Sequence, residues 1–250
     1  MRDPYVAEMK AIILSISPKA VIVDVSHEVE KFDIRMGAYI LASASSYFPR
    51  DTVHVAVVDP EVGTARRCLI VQTKRSFFVG PDNGVLILAA EKEGIVGVHE
   101  IASPKYMLPR VSSTFHGRDV FAPVAAHLCE GVNPVDFGAM IKDFVKPKFS
   151  KVKFRKGKVV GEVLHVDRFG NIVTNIMEEA LSCLKVKGLA NVNINQRETQ
   201  LKLGKSYAEA KLNESLVLVG SQGYIEIAKY KGNASEEFNA KPSDKITLSF

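Results

Sequence analysis

Thr52-Val53-His54-Val55-Ala56-Val57-Val58-Asp59-Pro60-Glu61-Val62-Gly63-Thr64-Ala65-Arg66-Arg67 changes character at one point. Up to Val58 it is a short apolar run rich in valine, the pattern of a strand buried on both faces. At Asp59 the run stops, and Pro60, which lacks a backbone donor, ends the strand. Ionisable side chains and a glycine follow at once. In an α/β fold such strand-end turns are where a site is built. Read alone, Asp59-Pro60 is either a turn opener or a carboxylate at the sheet's carboxyl edge. Gly63-Thr64 forms a tight turn that lets backbone N–H groups approach a ligand. Of Arg66 and Arg67, one faces the site and the other solvent.

Outward from this strand, helices and strands alternate. Val6, Met9, Ile12, Ile13 and Ile16 recur at helical spacing and predict a helix over 5–16, stopped by Pro18. Residues 20–25 are a valine- and isoleucine-rich run expected as a buried strand. A helix over 33–48 is capped by Asp33 and ends near Pro49. Residues 68–73 and 77–79 form a hairpin around Lys74-Arg75-Ser76. Helices are expected over 84–93 and 120–129, with a strand over 96–101 between them. The expected fold class is α/β, an N-terminal sandwich domain with a mostly parallel sheet. The chain opens on a helix, although an α/β unit enters such a helix from a strand, so a strand ahead of residue 1 is expected.

Composition shifts after Phe144, and 145–148 reads as a linker. Beyond it, short strands are expected over 158–166, 172–175, 186–192, 198–203, 216–219, 225–228 and 245–249. Glycine and asparagine clusters separate them, the pattern of a small antiparallel β-barrel or sandwich. The expected domains are 1–145 and 152–250.

The bulk properties exclude several classes. Of 250 residues 46% are hydrophobic and 24% charged, the balance of an ordinary globular protein. The +5 net charge comes from lysines and arginines concentrated after residue 140, read as a solvated linker and edge strand. Without interleaved aromatics they suggest no nucleic-acid partner. Three cysteines with no CxxC pair fit a reducing cytoplasm and argue against disulfides or a zinc cluster. With no HxH or HxxxH pair, no metal is expected. No apolar run approaches the roughly 20 residues a membrane span needs, and no signal peptide precedes the first helix. A cytoplasmic protein with no membrane partner is therefore expected.

Four polar stretches carry candidate chemistry. His116 lies in glycine-flanked Ser113-Thr114-Phe115-His116-Gly117-Arg118-Asp119 rather than on an apolar face. Together with Asp59 and an arginine it supplies an acid, a guanidinium and an imidazole, enough to orient water and carry its proton. In Gly80-Pro81-Asp82-Asn83-Gly84, Asp82 or Asn83 caps the following helix. Asp167-Arg168-Phe169-Gly170-Asn171 with Thr174-Asn175, and Gly220-Ser221-Gln222-Gly223-Tyr224, are either β-turns or holders of an amine or hydroxyls. No Walker loop, GxGxxG or GxSxG occurs.

Six segments in order resemble the S-adenosyl-L-methionine hydrolases (adenosine-forming), also called SAM hydroxide adenosyltransferases, relatives of fluorinating and chlorinating enzymes. They are Tyr5-Val6-Ala7-Glu8-Met9-Lys10, Val25-Ser26-His27-Glu28-Val29, Val57-Val58-Asp59-Pro60 with Val62-Gly63-Thr64, Val79-Gly80-Pro81-Asp82-Asn83-Gly84, Thr114-Phe115-His116-Gly117-Arg118-Asp119, and Phe169-Gly170-Asn171 with Thr174-Asn175. The resemblance implies an N-terminal α/β domain, a C-terminal β-barrel and a homotrimer with sites at subunit interfaces. It implies S-adenosyl-L-methionine as substrate, no cofactor, and water attack on the ribose C5′. The family's Asp–Arg–His set falls on Asp59, Arg66 and His116, the offset from Asp59 favouring Arg66 over Arg67. His116 is expected to be the better base at neutral pH. Substrate contacts are implied for Asp82, Asn83, Asp167 (methionine part), Asn171 (adenosine part), Ser221 (methionine carboxylate) and Tyr207 (stacked on adenine). His116-Gly117 replaces a tyrosine-serine type pair of the halogenating relatives, which points to water rather than halide. The chain starts just after the family's Thr-Asp-Phe-Gly type loop, whose aspartate grips the ribose. Alternatives are a binding protein that leaves the substrate unchanged, and a halogenase.

Overall fold

The computed structural model describes residues 3–155, 157–183 and 188–249. The chain divides into two compact units, Met1–Lys148 and Phe149–Phe250.

The first unit contains, in order, α1 (Tyr5–Ile16), α2 (Ile34–Ala44), β1 (Val53–Val55), β2 (Cys68–Thr73), β3 (Phe77–Pro81), α3 (Ile87–Glu93), β4 (Ile95–Glu100), α4 (Ala122–Cys129) and α5 (Pro134–Phe137). Asp33 caps α2 by accepting from Met36 N at 2.8 Å. Gly94, at φ 82°, ends α3. A π-helical turn, Gly117–Phe121, leads into α4.

The sheet order is β1-β3-β2-β4. Parallel pairing, expected to dominate, is confined to β1–β3; β2 is antiparallel to both β3 and β4. The tight turn at Lys74-Arg75-Ser76 accounts for the β2–β3 pair, since a hairpin admits only antiparallel partners. Side chains alternate across β2. Leu69 and Val71 pack with Leu41, Phe78, Ile87 and Val98, while Ile70 packs on the other face with Val79, Phe121, Val124 and Phe137.

Two expected strands differ. Residues 20–25 join no ladder among the described residues, and Val21 and Val23 are 90% and 59% exposed. A valine-rich alternation fits a strand but does not supply the partner that makes one. The strand expected over 52–58 is laddered only at Val53–Val55, after which Ala56 N still donates to Val79 O at 3.1 Å.

The second unit contains β5 (Lys153–Arg155), β6 (Lys158–Val166), β7 (Ile172–Met177), α6 (Glu179–Cys183), β8 (Leu189–Ile194), β9 (Arg197–Leu203), β10 (Ser215–Val219), β11 (Tyr224–Lys229), α7 (Ala234–Phe238) and β12 (Lys245–Ser249). Residues 186 and 187 of the strand expected over 186–192 lie outside the described residues. The order β12-β8-β9-β10-β11-β7-β6, closed by β12–β6, is a seven-stranded barrel, with β5 added on β6. Only β9–β10 is parallel among these pairs. Val159, Val163, Ile172, Ile176, Val192, Ile225, Ile227 and Leu248 fill the interior, with Phe238 from α7. No helix among the described residues is long and apolar enough to cross a membrane.

Candidate functional site

The loop after β1 returns on itself. Thr64 N and Oγ1 both donate to Glu61 O, at 3.2 and 2.7 Å, and Thr64 Oγ1 accepts from Arg66 N at 3.3 Å. This turn brings Arg66 back beneath Asp59. Gly63, at φ +78°, lies so close to the second loop that a Cβ there would fall 2.1 Å from Ser113 O. The two polar segments therefore meet backbone to backbone.

The second loop is tied from behind. Asp119, fully buried, accepts from Ser112 N at 2.7 Å and from Arg118 Nε at 2.6 Å. Arg118 reaches on to Glu8 of α1 at 2.8 Å. His116 then stands at the entry to the π-helical turn, a geometry often found at functional sites.

Asp59, Arg66 and His116 come together. The Asp59 and Arg66 side chains are each 4% exposed. Arg66 Nε donates to Asp59 Oδ1 at 3.0 Å and Nη2 to Asp59 Oδ2, a bidentate pair. Nη2 also meets His116 Nδ1 at 2.9 Å, and Nη1 meets Cys68 Sγ at 2.9 Å and Arg67 O at 3.4 Å. A guanidinium has no acceptor, so His116 Nδ1 must accept. The imidazole in this arrangement is neutral, with its proton on Nε2. Burial, then the Arg66 charge, hold its pKa below the ordinary histidine value, against the opposing pull of Asp59 and Asp119. Burial works against the Arg66 charge, yet its hydrogen bond to Asp59 leaves that charge more firmly held than in water. His116 thus presents an N–H donor outward, whereas the sequence suggested a base.

The choice between the arginines is also resolved. Arg67 turns away to Asp82, Nε to Oδ2 at 2.9 Å, and to Asp143 O at 2.7 Å. Asp82 in addition accepts from Val145 N at 2.8 Å. Asn83 donates to Val58 O at 2.8 Å and accepts from Val85 N at 3.1 Å. The polar atoms of Asp82 and Asn83 are thus spent on the frame. Asn83 pins the strand end that carries Asp59.

In the barrel, Asp167 Oδ1 accepts from Phe169 N and Asn171 N at 2.8 and 2.9 Å, and Oδ2 from Asn171 Nδ2 at 2.9 Å. This is a closed turn with Phe169 at its tip, 72% exposed. Glu226, which sequence reasoning passed over, is the centre of this side. Tyr207 Oη donates to its Oε2 at 3.3 Å, and a Cβ on Gly220 would fall 1.8 Å from its Oε1. Burial, with Asp167 adding to it, raises its pKa against the pull of Tyr207. Ser221 sits exposed in the adjoining turn. The available signal was a single carboxylate inside Tyr224-Ile225-Glu226-Ile227-Ala228, a strand buried throughout. Cys68 was likewise missed, hidden at the start of a regular strand. Among the described residues no group of three or more His, Cys, Asp or Glu could hold a metal ion.

The chain is similar to known proteins along nearly its whole length. A family model described as the SAM hydroxide adenosyltransferase N-terminal domain matches residues 1–138, and its C-terminal counterpart matches 161–247. A Methanocaldococcus jannaschii protein named (R)-S-adenosyl-L-methionine hydrolase is 38% identical, over 98% of this chain and 91% of its own. A Salinispora arenicola protein of the same name is 35% identical, over 99% and 94%. The crystal structure of an uncharacterized conserved protein from Thermotoga maritima superimposes with a TM-score of 0.95 at 38% identity, covering 100% of this chain and 97% of that one. Asp59, Arg66 and His116 lie within the first matched span, and Asp167, Asn171, Tyr207, Ser221 and Glu226 within the second. The chain belongs to the SAM hydroxide adenosyltransferase family.

Proposed function

We propose that this protein hydrolyses S-adenosyl-L-methionine to adenosine and L-methionine. The observation that carries the reading is the buried Asp59–Arg66–His116 cluster at a strand end, in a chain whose relatives are named for that reaction. Water attacks the ribose C5′ in line with the sulfonium. The C5′–S bond breaks, its electron pair stays on sulfur as neutral thioether, and the water oxygen bonds to C5′. The leaving group is already good, so no acid is needed on the sulfur. The task is to align a poor nucleophile in a dry pocket. His116 Nε2–H donates to one lone pair of the water while the other points at C5′. The oxonium formed on bond making is strongly acidic, and Asp59 receives its proton. Arg66 holds both partners and the negative charge of Asp59. No metal or cofactor has a part in this scheme.

Asp167, Asn171, Tyr207, Ser221 and Glu226 hold the adenosine and methionine portions, presented by a neighbouring subunit of a homotrimer. Asn83 acts through the strand end it fixes, and Asp82 through Arg67 and the Val145 backbone it holds. The thiols of Cys68 and Cys129, free among the described residues, suit a reducing cytoplasm.

Incubation with S-adenosyl-L-methionine in 18O-labelled water tests the reading. Equal release of adenosine and methionine is expected, with label in the 5′-hydroxyl. Recovery of bound, unchanged substrate would leave a binding protein instead, and a halide-dependent 5′-halogenated product a halogenase. Light scattering should give three times the 27.4 kDa chain mass.

A further inference from the structure

The Arg66 guanidinium carries five N–H donors, and each has an acceptor. Nε meets Asp59 Oδ1, Nη2 meets Asp59 Oδ2 and His116 Nδ1, and Nη1 meets Cys68 Sγ and Arg67 O. Among the described residues Cys68 is the one side chain that accepts on the Nη1 edge, at 2.9 Å, while the carbonyl there stands off at 3.4 Å. A bidentate carboxylate fixes a guanidinium within its plane and leaves tilt about the line of its two hydrogen bonds to its other neighbours, here the Phe121 ring centred 5.5 Å from Cζ and whatever accepts on the Nη1 edge. An acceptor on the opposite edge removes that tilt. The sulfur is itself held, because Cys68 opens β2 in register with Pro81 and packs on the Ile70–Val79–Phe121 cluster. Burial keeps the thiol protonated in spite of Arg66, so it serves as a weak acceptor rather than a counter-ion.

We propose that Cys68 is a positioning residue for the reaction: its Sγ takes one Nη1–H of Arg66 and sets the tilt that aims Nη2 at His116 Nδ1, so fixing the imidazole in its Nε2–H tautomer. The charged and titratable groups facing His116 are Arg66, Asp59 and Asp119, with the Cys68 thiol 3.9 Å from Nδ1. Of these Arg66 supplies the close donor to Nδ1, at 2.9 Å, while the Cys68 thiol stands at the outer limit of a sulfur hydrogen bond to the same atom. When Arg66 tilts away, the imidazole loses both the donor that sets its tautomer and the cation that disfavours its protonation.

The inference rests on the proposed reaction for its kinetic readout but not for its spectroscopic one. Cys68→Val, which keeps the packing and removes the acceptor, is compared with Cys68→Ser, which retains one, and with the unaltered protein. Cys68→Val should lower kcat about tenfold through misalignment, leave KM nearly unchanged, and move the acid limb of the pH–rate profile upward. Cys68→Ser should restore most of both. By 15N histidine NMR, His116 should be the Nε2–H tautomer in the unaltered protein and in Cys68→Ser, and a tautomer mixture with a raised pKa in Cys68→Val. A folded Cys68→Val with unchanged kcat, acid limb and tautomer overturns the proposal. If Cys68→Val does not fold, Cys68→Ala is measured the same way, its melting temperature separating lost packing from lost positioning. Should the unaltered protein release no adenosine, the proposed reaction fails, while the NMR comparison still decides the role of Cys68.

Discussion

Asp59 and Arg66 are two opposite charges withdrawn from water together, and that sets what each substitution costs. Removing one leaves the other buried without its partner, a loss of about 3–5 kcal/mol, whereas replacing both by apolar groups of similar size is far milder. Asp59→Leu alone should therefore destabilise more than the Asp59→Leu/Arg66→Met double variant, although neither turns over substrate; chemical denaturation orders the three. If the double variant is the least stable, the pair is not acting as a buried unit. His116 gives a second residue-level expectation. Its neutral form is the one compatible with Arg66, and burial followed by Arg66 lowers its pKa. Activity should stay flat from neutral pH downward and fall on the acid side only below about 6.5, the ordinary histidine value. An acid limb at or above that value would mean Arg66 does not face Nδ1 in the working enzyme. Asp59 and His116 are legible in the sequence, because Asp-Pro after an apolar run and a glycine-flanked histidine are local patterns, whereas Arg66 over Arg67 follows only from the family resemblance. The protonation of His116 was not legible. Which ring nitrogen is occupied depends on where a guanidinium lands 50 residues away along the chain. The same holds for Cys68 and Glu226, whose neighbours are set by the fold.

At the scale of elements, the loop at Gly63 and the loop at Ser113 form a joint with no room for a side chain. A Cβ on Gly63 would meet Ser113 O at 2.1 Å, and its φ of +78° is one that L side chains rarely adopt. Gly131 is a matched control, with φ +86° and nothing within 4 Å of its Cβ. Both Gly→Ala changes incur conformational strain of about 1–2 kcal/mol. Only Gly63→Ala must also part the loops bearing Arg66 and His116, so only it should lower kcat, by about a hundredfold for a displacement near 1 Å. Equal kcat losses in the two variants would show that strain rather than the joint is responsible. Elements were legible where a local signal closes them. α1 is bounded by Pro18 and its own periodicity, whereas the strands expected over 186–192 and 198–203 meet in a tighter hairpin at Asn195-Gln196, both at positive φ. They were not legible where pairing decides. The run over 20–25 has the composition of a strand but no ladder among the described residues. The hairpin at Lys74-Arg75-Ser76 is a local pattern that makes β2 and β3 antiparallel, whereas alternating helices and strands suggest a parallel layer and do not reveal that pairing. The π-helical turn at Gly117–Phe121 has no composition of its own and runs directly into α4.

At the scale of the whole molecule, the two units should respond to mild acid in opposite senses. Three histidines of the first unit, His54, His116 and His127, have pKa values lowered chiefly by burial. His54 is the extreme case, sandwiched against Phe78 and Phe48 with Nε2 buried and without a hydrogen-bond partner. A histidine whose folded pKa lies below its unfolded value of about 6.5 binds its proton first in the unfolded chain, so stability falls as pH drops below that value. Glu226 in the barrel is shifted the other way: burial raises its folded pKa above the ordinary 4.5. It binds its proton first in the native state, and its penalty is relieved as pH falls toward that value. The remaining lowered carboxylates, Asp24, Asp119 and Glu237, exert their effect only below their ordinary values of 3.8 to 4.5. The raised thiols Cys68 and Cys129, the raised Tyr224 phenol and the lowered Lys92 belong to alkaline solution. Between pH 7 and 5 the first unit should therefore lose stability while the barrel keeps or gains it. Denaturant-dependent hydrogen exchange, read by mass spectrometry on peptides from each unit and corrected for the intrinsic pH dependence of exchange, measures the two separately. His54→Phe, which fits the aromatic stack without a titrating group, should flatten part of the first unit's response and leave the barrel's untouched. An identical loss in both units, or a first-unit response indifferent to His54→Phe, would show that burial of these imidazoles is not what makes the α/β unit acid-sensitive.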